Sequence, residues 1–355
     1  MLAFSIDIGY LAMSKSEMRR TADSAALAGG WQLLDSKIKG DSPLQATSLM
    51  RTAASQVALE NRVCNSGPIL QASGVATDIT EGYLANISAN GTLSSNSQNP
   101  FQAVRVRVQR TAQSNGLVPF FFAKVFGETG IQMTVNATSA MAIQVKGFSS
   151  PPTSTLGINL LPFALDLGTW NAMLNGGGSD IYNYNTVTGL LTGGSDGIRE
   201  VNLYPQGTGS PGNRGTVDIG GSNNSTADIA RQIISGISAE DLEDLGKPLM
   251  LDANGTMTLN GDTGISAGVK DELASIIGET RIIPVFSSVF GNGNNANYTI
   301  VQWVGVRILY VKLTGSMSSK QLIVQPAPVI ARNVVAGDAS RTWSDSIYSA
   351  VVLVQ

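Results

Sequence analysis

The first thirty residues constrain this chain most. From Met1 to Met13 the sequence is apolar with few charges; Asp7 is the lone acid. Charges then cluster at Lys15, Glu17, Arg19 and Arg20, and an alanine stripe follows at Ala22, Ala25, Ala26 and Ala28. No proline interrupts, and the spacing predicts one continuous helix to about residue 35. Its first part, with Phe4 and Tyr10, suits lipid or a bundle of partner helices. Its second part has side chains small enough for close helix contact. Asp7 in dry surroundings needs a partner or loses its charge. Phe4, Asp7, Tyr10, Ala22, Ala25 and Ala26 are therefore the residues expected to carry assembly.

Gly40-Asp41-Ser42-Pro43 breaks the helix, and Pro43 suits the first turn of a second one over 43–62. Beyond Gly67 the apolar period shortens. Strands are predicted over 75–87, 101–110, 117–126 and 130–145, with Leu93 to Asn99 as a hairpin or exposed loop. Val104, Val106 and Val108 alternate with Arg105, Arg107 and Gln109, the pattern of a half-buried strand with one basic, wet face. Residues 147–155 read as a linker. Short helices are expected over 225–235 and 265–277, and strands over 281–290, 297–314, 320–335 and 347–354. The fold class is α+β: a long N-terminal helix, then a β-rich globular region with antiparallel sheets. The expected domains are a helical stalk (1–62), a first β-rich domain (63–148) and a second, extension domain (149–355).

Composition narrows the chemistry. Charged residues make up only 14% of the 355, against 43% hydrophobic, and polarity comes instead from Ser, Thr, Asn, Gln and 39 Gly. That mix favours β-rich extracytoplasmic structure. A net charge of −3 gives no electrostatic case for nucleic acid. There is no histidine, which excludes His-based triads and HExxH zinc sites. The one cysteine, Cys64, rules out an intrachain disulfide and reads as a passive thiol. No enzyme, cofactor or metal is expected.

The polar motifs have plainer readings than catalysis. Asp252-Ala253-Asn254-Gly255 and Asn260-Gly261-Asp262-Thr263-Gly264 could offer oxygen ligands to calcium, but Asn-Gly and Asp-Gly pairs are hairpin chemistry. The glycine-rich stretch 207–215 lacks the Lys of a phosphate loop and reads as a rigid structural loop. Glu240, Asp241, Glu243 and Asp244 suit the solvated face of a short helix opened by Ser238. Arg105, Arg107 and Arg110 suit an edge or a solvent face protected by charge. The apolar C-terminal run, Ile347 to Val354, is a strand that completes a sheet in its own subunit or in a neighbour.

Two blocks carry a family resemblance. Asp7-Ile8-Gly9-Tyr10 followed by Arg20-Thr21-Ala22-Asp23-Ser24-Ala25-Ala26-Leu27-Ala28-Gly29 resembles the N-terminal region of TadG-like proteins of the Tad (Flp) pilus system. Ala103 to Val108, Val118-Pro119-Phe120-Phe121-Phe122-Ala123-Lys124-Val125-Phe126-Gly127 and Val135 to Ala140 resemble the same family further on. The resemblance covers about residues 1–145. It implies a pilin-like globular region and a bacterial cell-surface or extracellular protein, membrane-associated through its N-terminus. The implied partners are other copies of the chain, as a homo-oligomer or filament, and a membrane or the pilus assembly machinery. A surface adhesin or ligand-binding module on a membrane stalk is the alternative. The apolar run is shorter than the ~20 residues that cross a bilayer, so a start internal to a longer precursor, or a processed form, is expected.

Overall fold

A computed structural model of the chain describes residues 2–74, 77–87, 91–95, 99–152, 157–203, 214–221, 225–262, 265–291 and 295–354. The architecture is α+β with mostly antiparallel sheets. Its contacts divide it into two units: residues 1–141 with 351–355, and residues 142–350.

In the first unit, helix α1 (Leu2–Lys39) and helix α2 (Pro43–Glu60) form an antiparallel hairpin. Gly40, at φ +73°, ends α1 in the left-handed conformation that a glycine tolerates best. Lys37 and Lys39 sit in its last turn, where cations complement the helix dipole. The Ser42 side chain then accepts the Gln45 N–H, and Pro43 opens α2. Strands β1 (Ile79–Leu84), β2 (Leu93–Ser94), β3 (Ala103–Arg110), β4 (Val118–Pro119), β5 (Gly130–Ile131) and β6 (Met133–Ala140) follow. The sheet runs β2-β1-β3-β6 and closes on the C-terminal strand Val352–Leu353, all antiparallel.

The alanine stripe explains how α1 packs. Met18, Ala22, Ala25, Ala26 and Leu34 are buried at helical spacing against α2 and strands β3 and β6. A methyl group on Gly30 would come within 2.5 Å of the Ser139 Oγ and 2.7 Å of Val351. The Ser139 hydroxyl donates to the Ala26 carbonyl at 2.6 Å. Small residues thus let the helix lie directly on the strands. Helices and first sheet share one core, so the contacts do not separate at residue 62. The second partition falls after Met141, ahead of the expected linker, because Val145–Phe148 is itself a strand of the second unit.

The arginine strand is not an edge. β3 lies between β1 and β6, and its valines face the helices. On the other face Arg107 Nε pairs with the buried Asp78 carboxylate at 2.9 Å. Arg110 is buried and donates to the Val63 carbonyl at 2.9 Å.

In the second unit, strands Ala296–Lys312, Met257–Asp262, Arg214–Val217, Phe163–Asp166 and Thr280–Phe290 pair in that order, and the last pairs back with the first. The pairing therefore closes a ring of strands, extended by Gln321–Pro326 and Val201–Asn202. One parallel pair, Phe163–Asp166 with Thr280–Phe290, completes the ring. Helices α3 (Leu167–Leu174), α4 (Thr226–Ser235), α5 (Ala239–Leu245) and α6 (Lys270–Ser275) punctuate the strands. Ser225 caps α4 by accepting the Asp228 N–H, as its sequence signals. The expected single strand over 320–335 is three pieces, 321–326, 329–331 and 334–336.

Candidate docking site at the end of the long helix

The first three turns of α1 leave the main packing stripe. Between residues 4 and 13 Asp7 is the buried residue. It finds its partner in the backbone of the 118–131 segment. One carboxylate oxygen accepts the Phe121 N–H at 2.7 Å and the other accepts the Ala123 N–H at 2.9 Å; the Phe122 N–H reaches both, at 3.3 and 3.2 Å. These are the unpaired donors at the start of a 3-10 turn, Ala123–Phe126, which Gly127 closes at φ +90°. Burial raises the Asp7 pKa, but the N–H groups of Phe121, Ala123 and Phe122, with the charge of Lys124, outweigh it and hold the carboxyl below its ordinary value. Asp7 thus stays ionised in an apolar stretch.

Aromatic rings flank this clasp. Phe4 stacks on Phe126 at 6.0 Å with 17° between planes, and Tyr10 meets Phe121 edge-on at 4.9 Å. The short pair β4–β5 forms the base of the loop. The outer surface is apolar and open: Phe4 is 52% exposed, Ile8 66%, Phe126 73% and Val125 83%, and Ile6, Met13, Phe121 and Phe122 are also exposed. Scattered apolar residues are ordinary on a surface; a group of them on adjoining elements marks an interaction site.

Phe4, Asp7 and Tyr10 therefore come together, and they meet the second block of the resemblance. Ala22, Ala25 and Ala26 do not join them. They are buried within the same unit, so they serve the fold and are not available to a neighbouring subunit. The expectation of a strand over 117–126 fails: only Val118–Pro119 is a strand, because Asp7 draws the Phe121, Phe122 and Ala123 N–H groups into a turn. Phe121, Phe122 and Phe126 are the site residues that strand reading concealed. The run of three Phe ahead of Lys124 and Gly127 carried the signal.

The other candidates resolve into structure. Asp241 is not solvated: it is buried, closes a capping box with Ser238, and receives the Arg231 guanidinium and the Gln232 amide. Asp252 Oδ1 accepts the N–H groups of Asn254 and Thr256, both at 2.9 Å, which makes a turn. Asn260, Gly261 and Asp262 lie in a strand, and Thr263 and Gly264 lie outside the described residues. Residues 207–213 of the glycine-rich stretch lie outside the described residues. The C-terminal run pairs within its own chain, Ile347–Ser349 with Val329–Ala331 and Val352–Leu353, as an edge strand, with β6. Cys64 donates to the Ser14 hydroxyl at 3.2 Å and its N–H to Glu17 at 2.9 Å, tying the end of α2 to α1.

Two family models match the chain. One, described as Flp pilus-assembly TadE/G-like, covers residues 1–32; the other, described as Tad-like Flp pilus-assembly, covers residues 28–152. No curated protein and no solved structure gives a match. The two matched stretches meet within α1 and together contain the helix, the sheet beneath it and the Asp7 clasp. Over its first 152 residues the chain is similar to Tad-like and TadE/G-like Flp pilus-assembly proteins.

Proposed function

We propose that this chain is a non-enzymatic, extracytoplasmic structural protein of the Tad/Flp pilus system that assembles through the apolar end of its N-terminal helix, as a subunit of a homo-oligomer or filament. The observation that supports this most is the exposed group of Phe4, Ile8, Val125 and Phe126 around a clasped Asp7. Water is a poor neighbour for such a surface, and a second apolar surface is a good one. The clasp would present it as one rigid body. Among the described residues no helix is long and apolar enough to cross a membrane. The tip would act as a docking face at the cell surface or in the envelope, a location that the similarity to pilus-assembly proteins supports.

Sedimentation velocity and electron microscopy of the full chain test this, comparing wild type with the double variant Ile8→Ser/Phe126→Ser. Both residues are exposed, so the variant should melt as wild type does. Concentration-dependent assemblies for the wild type and monomers for the variant are expected. A wild type that stays monomeric at all concentrations, or a variant that assembles equally well, would overturn the proposal.

A further inference from the structure

The second unit holds a polar cavity that the assembly tip does not involve. It measures about 720 Å³, within the range of small-ligand sites, and opens between helices α4 and α5 and the segment 218–221. Its walls are acidic: Asp218, Asp228, Glu240, Asp241 and Asp244 line it, and Arg231 is the one cation among the described lining residues. Arg231 is already committed. Its two terminal nitrogens donate to the two Asp241 oxygens, and Nη2 lies 3.9 Å from Asp228. The carboxylates of Asp218, Glu240 and Asp244 have no hydrogen bond or ion pair with a described residue.

One buried side chain points to what is missing. Gln232 lines the cavity and is 5% exposed. Its Nε2 donates to the Ile219 carbonyl at 2.8 Å and to Asp241 at 3.1 Å, which fixes the orientation of the amide. Its Oε1 accepts from no described residue and is not sealed in the core, so it faces the cavity. Gln232 bonds the residue next to Asp218 and stands one helical turn from Asp228. The free oxygen and these two carboxylates thus share one end of the cavity. Burial, and then the charge of Asp228, push the Asp218 carboxyl above its ordinary value. A desolvated carboxylate beside a second acid weakens the fold unless a cation joins it. Gly220 and Gly221 leave that space open: a methyl group on them would come within 3.3 Å of Asp241 and 3.2 Å of Asp244.

We propose that this cavity binds a primary ammonium group carried on an alkyl chain. The ammonium donates to the Asp218 carboxylate and to Gln232 Oε1, Asp228 offsets its charge, and the exposed Glu240 and Asp244 draw it in. A bare metal ion fits less well, because among the described residues no three acids stand close enough together to hold one. An ammonium needs no such cage. Its three N–H groups reach separate acceptors on different walls. A free polyamine and a lysine side chain of another polypeptide carry this same group.

Isothermal titration calorimetry of the full chain at low salt tests this with spermidine, a capped Ala-Lys-Ala tripeptide, magnesium chloride and tetramethylammonium, which has the charge but no N–H. Saturable one-to-one binding of spermidine or of the tripeptide is expected, and the tighter of the two names the source. Tetramethylammonium and magnesium should bind at least about tenfold more weakly, the order of one charge-assisted hydrogen bond. Asp218→Asn removes a desolvated charge, so it should melt at or above the wild-type temperature and yet lose at least about tenfold in affinity. Asp244→Asn, an exposed change, should weaken binding less and decides the matter if Asp218→Asn does not fold. Asp271→Asn, the same loss of charge away from the cavity, should bind as wild type. No saturable binding of either amine, equal binding of tetramethylammonium or magnesium, or affinity that the folded cavity variants leave intact would each overturn the proposal.

Discussion

Asp7 sets the local problem at the residue scale. A carboxylate in an apolar stretch needs a partner, and here the partner is three backbone N–H groups rather than a cation. Because those donors favour the charged form, the folded-state pKa lies below the ordinary value. The contribution is present above the unfolded pKa of ~3.9 and is lost as pH falls through the depressed folded value. Acidification should therefore release the Phe121–Phe126 turn before the core unfolds. In hydrogen exchange, the Phe121 and Ala123 amides of Asp7→Ala at neutral pH should show protection factors as low as those of wild type in acid, each taken against the intrinsic rate at its own pH. Asp7→Asn, which keeps one acceptor oxygen, should fall between. Unchanged protection of these amides in Asp7→Ala would show that the rings and the β4–β5 pair hold the loop without the clasp.

For α1, the same spacing does two jobs at the element scale. From Ser14 on, small and apolar side chains at helical intervals lie on α2 and the sheet; before it, the stripe reduces to Phe4, Asp7 and Tyr10 on the loop. Ala25→Leu adds bulk to a fully buried position, and overpacking of this kind costs ~1–3 kcal/mol. The loss should appear in the melting of the isolated monomer, because the contact is within one chain. Gly30→Ala should act alike, with Ser139 and Val351 in the way. Melting curves unchanged in both variants would mean that α1 does not rest on the sheet. Both helices, the Ser42-Pro43 start of α2 and the Val104–Val108 strand were legible because each has a local signature: period, cap or alternation. The pairing of Arg107 with the buried Asp78, the break-up of 320–335 and the 3-10 turn were not. Each depends on a partner far away in sequence, Asp78 for Arg107 and Asp7 for Ala123, and no local pattern encodes such a partner.

At the scale of the whole molecule, cohesion without disulfides comes from two separate cores and from a terminus that returns home. Val351 is buried and Val352–Leu353 extends the first sheet. Deleting residues 351–355 should lower the stability of the first unit by about 2 kcal/mol, the order of one buried valine, and leave assembly of the folded fraction intact. Loss of assembly with full stability would restore the between-subunit role for this strand. In the second unit, burial and the nearby Asp262 push the Tyr298 phenol up to about 12. A raised pKa favours the neutral form, so its contribution holds below the ordinary value near 10 and is lost as pH climbs toward 12. Spectrophotometric titration should show one tyrosine ionising late, and Tyr298→Phe should remove that step. The central claim is that the clasped aromatic tip is the surface on which copies meet. Its most direct test replaces Cys64, the single native thiol, by Ser and places a solvent-sensitive dye on a cysteine at Val125, 83% exposed, or at Val187, 92% exposed in the second unit. With rising protein concentration the dye at position 125 should shift to the blue as assemblies form, while the dye at position 187 should not. Assembly that shifts the dye at 187 and leaves that at 125 in water would contradict the account.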